Sequence, residues 1–373
     1  MLHHNRIDMS IEMILDKDKF DKSDLIRLLE TDTEERKLLY KKSAEIKEKY
    51  VGKMTYFRGL IEYSNVCGKN CLYCGIRKGN KNLVRYNLSD DEIIEAVKTA
   101  IEYNYGSIVF QGGEIESPKH TERINKLIQR AMEISNGKIG ITLSLGEQDV
   151  ETYKLWRESG AKRYLLRIET SNQELYYKLH PKNKLHNFDR RKECLGFLKD
   201  LNYQVGTGVM VGFPGQSIEH LADDLIFMRD LDIDMCGMGP YLEHKDTPLY
   251  DRRHELISTE ERFNLTLKMI AIMRIMMKNI NLVASTAMQT IDKLGREKAL
   301  KAGANIVMPN ITPGRFRDYY KLYENKPCTN EEAEDCLNCM ELRISISGDL
   351  IGYNQQGDSP HYNNRMNQLY NKL

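Results

Sequence analysis

From residue 55 onward, apolar and β-branched residues gather into short runs separated by polar stretches of helical period. Eight such runs stand at 55–65, 107–112, 138–145, 163–168, 204–213, 234–241, 281–288 and 304–311. Between them, 89–104, 119–135, 148–159, 190–201, 217–230, 259–278 and 291–302 repeat apolar positions every three to four residues, as amphipathic helices do. Eight strand candidates, each followed by helical or connecting material, predict an α/β protein built as a (β/α)8 TIM-type barrel. A doubly wound sheet is the alternative, because strand order is not written in the sequence. Residues 11–50 read as helices, an N-terminal extension in which Ser23-Asp24 looks like a cap ahead of Leu25. The division expected is therefore a helical segment over 1–50, a barrel over 51–325 and a C-terminal segment over 326–373. Met269, Met273, Met276 and Met277 recur at helical spacing, which reads as core packing rather than a ligand surface.

Composition narrows the class. The 373 residues carry 55 Lys+Arg and 54 Asp+Glu, so no basic excess speaks for nucleic-acid binding. No apolar stretch approaches the roughly 20 residues of a membrane span. Asp8, Glu12, Asp16 and Asp18 interrupt the start of the chain, which is unlike a signal peptide. These features point to a cytoplasmic protein with no membrane partner. Eight cysteines are too few for a disulfide scaffold, and six of them form two tight clusters, as metal ligands do.

The first cluster is Cys67, Cys71 and Cys74, a C-x3-C-x2-C loop directly after the first strand candidate. Three thiolates on one loop can ligate three irons of a [4Fe–4S] cluster and leave the fourth open to a small molecule. The loop sits at the carboxyl end of a strand, where barrel enzymes keep their chemistry. A zinc knuckle would want a fourth ligand, and no histidine stands at ligand spacing. Cys194 and Cys236 stand alone and read as small buried hydrophobes. His180, His186, His220 and His244 share no catalytic spacing and receive no role. No G-x4-GK[ST] phosphate loop is present.

The loop SNVCGKNCLYCGIR, with Tyr73 just before its third cysteine, resembles the radical S-adenosylmethionine (SAM) superfamily. Gln111-Gly112-Gly113-Glu114 is similar to that superfamily's GGE motif. Thr142 and Ser144 in TLSLGE, Arg167 and Glu169 in RIET, and Arg191 come after it in the expected order. The resemblance implies that these residues contact SAM, with Glu169 at the ribose and Arg191 at the carboxylate. Val211 to Gln216 (VGFPGQ) resembles the glycine-rich turn near the adenine. The longer phrasing, including YLLRIET, MVGFPGQ, MGPY and ANIVMPNITP, resembles the HydE family of [FeFe]-hydrogenase maturases in the biotin-synthase-like branch. Cys328, Cys336 and Cys339 resemble that family's accessory triad, which implies a second iron–sulfur cluster, [2Fe–2S] or [4Fe–4S]; a zinc site or bare thiols are the alternative.

The family resemblance implies reductive cleavage of SAM to a 5′-deoxyadenosyl radical during assembly of the H-cluster diiron subunit. An organometallic Fe(CO)2(CN)(cysteine)-type substrate, the other hydrogenase maturases and an external electron donor are its implied partners. Arg58, Arg163, Met235, Ser285, Thr286, Met308 and Tyr320 are the implied anion and substrate contacts in the lower cavity. Ser285 stands where relatives often carry Thr, and the hydroxyl is kept. Methylornithine synthase is the nearest rival in phrasing, and the second cysteine triad speaks against it. Biotin synthases need a strand-borne arginine ligand set that these motifs do not show. An iron–sulfur carrier is the rival of another class, but it has no use for ordered SAM motifs at strand ends.

Overall fold

The computed structural model describes residues 10–327 and 333–371, the side chains of 333–338 and 370 excepted. Eight parallel strands form the barrel: β1 (Met54–Ser64), β2 (Ser107–Gly112), β3 (Gly140–Ser144), β4 (Arg163–Leu165), β5 (Gln204–Thr207), β6 (Met235–Cys236), β7 (Asn281–Leu282) and β8 (Ile306–Val307). They are bonded in the order β8-β1-β2-β3-β4-β5-β6-β7. The ring closes between its ends: Val283 bridges Ile306, and Ala284 N donates to Ile306 O at 2.9 Å. This is the (β/α)8 barrel, and the doubly wound alternative falls because an open sheet has no such closing bridge.

Side chains pointing outward hold the helical ring. Tyr164 packs among Tyr153, Trp156 and Tyr203 with ring centroids 5.0, 6.5 and 5.9 Å apart. Helix starts are fixed by side-chain caps: Ser89, Ser117, Asp149, Asn172, Asn187, Ser217 and Ser258 each accept a backbone N–H of the first turn. Each is worth about 1 kcal/mol. In a barrel these helix starts come after the loops at the strands' carboxyl ends, so the caps also fix where the mouth loops stop. Met269 and Met273 are buried in the helix Thr259–Met276, as core.

The elements differ from the sequence expectation in several short stretches. The N-terminal cap is Asp21, not Ser23-Asp24, and Asp24 is its capping-box partner in the helix Lys22–Leu29. The run 281–288 is strand only to Leu282; Thr286 opens the helix Thr286–Ile291 after Ser285. Glu334, Asp335, Cys336 and Cys339 have the composition of a surface loop, but the helix Ala333–Ser347 carries them. Helices Gln173–Leu179 and Pro360–Tyr370 have no counterpart in the periodicity, which is short or polar there. A ninth strand, β9 (Leu350–Ile351), pairs parallel with the start of β1. Among the described residues no helix is long and apolar enough to cross a membrane.

Candidate active site

β1 ends at Ser64, and the next twenty residues fold back over the carboxyl mouth of the barrel. Arg85 is the hub of this excursion: its guanidinium donates to Asn65 O (2.6 Å), Ile76 O (2.8 Å), Arg77 O (2.6 Å) and Asn80 O (3.2 Å). Neighbouring loops clamp the other side. Gly68 N donates to Glu114 O (2.8 Å), Leu72 N to Leu179 O (2.8 Å) and Gly75 N to Leu322 O (2.9 Å). His186 accepts the Asn70 N–H at Nε2 (2.9 Å), so its Nδ1 donates to Asn183 Oδ1 (2.8 Å). Tyr73 meets His180 edge-on, ring centroids 5.4 Å apart.

Cys67, Cys71 and Cys74 are free thiols brought close enough to repel one another as thiolates. Burial pushes all three up, Cys74 to about 12, and the neighbouring sulfurs add to the effect at Cys71 and Cys74. Three half-buried, mutually repelling thiols are a donor set that a cationic iron core would relieve. They fit a cubane held at three corners. Gly113 completes the cradle. A Cβ there would stand 2.1 Å from Val66 O and 2.7 Å from Cys67 Cβ, so only glycine lets the β2 end touch the cysteine loop.

Beyond the cradle lies a closed square of buried charge. Lys69 pairs with Glu114 (2.9 Å) and Glu147 (2.9 Å), and Arg191 pairs with the same two carboxylates (3.2 and 2.9 Å). Burial works against the charge on Lys69 and Arg191, but the two glutamates outweigh it and both cations stay above their usual values. Glu169 ends the β4 run with a left-handed backbone, φ +67°. That is unusual for glutamate, and strain of this kind gathers at working sites. It is held there because Glu169 N donates to Gly208 O (3.1 Å) and Met210 N donates to Glu169 O (3.1 Å). Its carboxylate pairs with Arg167 (3.1 Å); burial raises it, and Arg167 and Arg191 pull it back only in part.

The structure thus gathers Cys67, Cys71, Tyr73, Cys74, Gly113, Glu114, Arg167, Glu169 and Arg191 at one mouth, with Gln111 and Gly112 on the end of β2 beneath them. Thr142 and Ser144 line β3 below, and the Thr142 hydroxyl is buried without a hydrogen-bond partner. Tyr320 joins them through Gln111 Nε2, 3.4 Å from its hydroxyl. The Ser285 hydroxyl is buried and unpartnered, 3.0 Å from where a Gly239 Cβ would stand. Met308 is half-buried just past β8. Thr286 is turned away from this group: its hydroxyl accepts from Arg296 (2.9 Å). Arg58, Arg163 and Met235 lie at the opposite, amino end of the strands, where Arg58 donates to Met235 Sδ (3.0 Å). Cys328 and the Cys336 side chain fall outside the described residues; Cys339 accepts from Arg343 Nε at 3.2 Å. Lys69, Arg85, Glu147, His180 and His186 escape a reading of the sequence. Lys69 sits inside the cysteine loop and Glu147 closes TLSLGE, so position alone is a signal for those two.

Residues 61–228 match the Radical SAM superfamily. The [FeFe] hydrogenase maturase subunit HydE of Thermotoga maritima is 44% identical over 310 residues, 83% of this chain and 85% of that protein. The chain belongs to the HydE family of radical SAM enzymes. Its superfamily works with a [4Fe–4S] cluster and SAM. The 3-methylornithine synthase of Methanosarcina acetivorans is similar at 30% identity over 304 residues, 81% of this chain and 82% of that one. The crystal structure of methylornithine synthase (PylB) superposes with a TM-score of 0.77 at 25% identity, covering 93% of this chain and 98% of that chain. HydE is thus favoured over methylornithine synthase by 44% against 30% identity across similar spans.

Proposed function

We propose that this chain binds a [4Fe–4S] cluster through Cys67, Cys71 and Cys74, and cleaves SAM reductively during maturation of an [FeFe] hydrogenase. The observation that carries the reading is the triad of half-buried thiols, with Cys67 held against Gly113 and Cys71 within the electrostatic reach of Glu114 and Arg191. The chemistry such a cluster supplies when bound is one-electron cleavage of SAM to a 5′-deoxyadenosyl radical. The protein's own part is placement. Arg191 offers a planar, doubly anchored cation for the SAM carboxylate, Glu169 an acceptor for the ribose hydroxyls, and Tyr73 an aromatic wall. Gln111, Gly112, Gly113, Glu114, Thr142, Ser144 and Arg167 complete the cofactor pocket.

The substrate is a small organometallic precursor of the diiron subunit, of the Fe(CO)2(CN)(cysteine) kind, handed over by another hydrogenase maturase. An external donor supplies the electron. Substrate contacts are Arg58, Arg163, Met235, Ser285, Met308 and Tyr320; Thr286 contributes through its bond to Arg296. Anaerobic reconstitution and a subsequent 5′-deoxyadenosine assay test the reading. Wild-type protein with dithionite and SAM should release 5′-deoxyadenosine, and the Cys67/Cys71/Cys74→Ser variant should release none. Retained product in that variant would overturn it.

A further inference from the structure

The end of the chain runs across the lower mouth of the barrel as a strap. It is fastened on one side by β9 and on the other by Arg365 to Asp234 (2.5 Å) and His361 to Asp232 (2.8 Å). Between the fastenings, residues 352–359 pass beneath the first residues of the strands. Arg58 and Asn281 both donate to Gly357 O (3.3 and 2.8 Å). Arg163 donates to Gln356 O (2.7 Å) and pairs with Asp358 (2.5 Å), whose carboxylate also accepts from Gln204 (2.7 Å). Gly140 makes room for this: a Cβ there would stand 2.4 Å from Arg163 Nη1.

This floor is not electrically balanced. Two guanidiniums, Arg58 at 3% and Arg163 at 0% exposure, share one carboxylate. Other buried charges nearby are already matched, Glu62 by Lys326 (2.5 Å) and Asp234 by Arg365 (2.5 Å). Three N–H groups, Nε of Arg58 and Nε and Nη1 of Arg163, are buried with no hydrogen-bond partner. A buried donor left unmade costs about 1–3 kcal/mol, and an uncompensated buried charge costs more. One small anion with several acceptor atoms would meet both deficits.

We infer that Asp358 is a specificity-determining residue of the barrel interior: by matching one of the two guanidiniums it leaves a single positive charge, so the interior accepts a monoanion and discriminates against a dianion. The inference deepens the proposed function, since it takes the barrel interior as the place where substrate is held. A strap residue thereby sets the charge of the ligand that the strands bind. Without Asp358 the floor would carry two positive charges, and the preference would reverse.

The test uses the reconstituted holoenzyme at pH 8 without SAM or reductant, titrated calorimetrically with nitrate as the monoanion and sulfate as the dianion. Wild-type protein should bind nitrate more tightly than sulfate. In Asp358→Asn, sulfate affinity should rise at least tenfold more than nitrate affinity. Hydrogen exchange over 351–359 is measured in parallel to show the strap still docked. An unchanged nitrate-to-sulfate ratio, a wild-type preference for sulfate, or binding of neither anion would overturn the inference. So would release of the strap in Asp358→Asn, since Asp358 would then be a latch. Loss of SAM cleavage is read separately by 5′-deoxyadenosine, so the two readings fail independently.

Discussion

Single atoms decide much of this site. The contact of Gly113 with Val66 O and Cys67 leaves no room for a methyl group. Gly113→Ala should therefore displace the cysteine loop and lower the iron and acid-labile sulfide bound per chain by more than half, while far-UV circular dichroism stays unchanged. Arg191 offers a sharper test, because it is tied to Glu114 and Glu147 before any ligand arrives. Arg191→Met removes a charged hydrogen bond worth about 1.5–3 kcal/mol, an affinity loss for SAM of roughly tenfold or more. Arg191→Lys should recover only part of it, since an ammonium cannot span both glutamates and the ligand. SAM affinity by equilibrium dialysis, unchanged in the Met variant, would make Arg191 purely a clasp for the two carboxylates. Asp224 acts behind the Glu169 turn, where it accepts from Ser171 N (2.6 Å) and Ser171 Oγ (2.7 Å). Burial pushes its carboxyl up to about 7 despite these bonds. A carboxyl raised in the folded state stabilises the fold while protonated, and that stability drains away as pH rises through the folded value. Asp224→Asn should thus gain in Tm relative to wild type between pH 5.5 and pH 8.5. A gap that moves the other way would mean that the Ser171 bonds hold the ionised form.

Elements are legible in the sequence in proportion to how local their causes are. β2 can be read to the residue because SIVFQG is a short apolar run with turn residues on both sides, and the long helices to within about two residues through their caps and period. β6, β7 and β8 shrink to two residues each, since closing the ring, not strand propensity, sets their pairing. The cysteine loop and the GGE turn are legible because their chemistry is carried by residue type at fixed spacing. The charge square is not: Lys69, Glu114, Glu147 and Arg191 come from four separate loops and helices, and only the fold makes them neighbours. The strap is illegible for the same reason. Its polar residues look like a solvated tail until Arg58, Arg163, Gln204 and Asn281 reach down to its carbonyls and carboxylate. Its near anchor is the buried pair Lys47–Asp349 (2.5 Å), to which Thr55 also donates (2.6 Å). Asp349→Ala leaves Lys47 buried and unpaired, and such a break costs about 3–5 kcal/mol. We expect a Tm lower by several degrees together with faster amide exchange over 350–359; a change in neither would assign the strap's docking to its far end alone.

On the scale of the whole molecule, the chain carries two cysteine triads in unlike settings. The residues proposed for SAM lie between Cys67 and Arg191, all on the first half of the barrel and its carboxyl mouth. Cys339 belongs instead to the helix Ala333–Ser347, which lies against the helix Gly295–Lys301 outside the ring. There Arg343 pairs with Glu297 (2.7 Å) and Arg296 donates to Met340 Sδ (2.9 Å). No glycine turn or strand-end carboxylate accompanies that triad in sequence, so nothing about it is suited to hold SAM. Cysteine sites that share no partners behave additively when changed. The Cys328/Cys336/Cys339→Ser protein should therefore keep its 5′-deoxyadenosine yield within about twofold, while losing whatever iron exceeds one [4Fe–4S] cluster per chain. Changing the first triad should do the reverse, abolishing cleavage and sparing any second iron centre. Anaerobic iron analysis, electron paramagnetic resonance of the reduced proteins and product quantification on the same samples separate the two. The accessory assignment is falsified if cleavage collapses in the second variant while the signal of the first cluster stays intact, because electrons would then have to reach SAM by way of Cys339 and its neighbours.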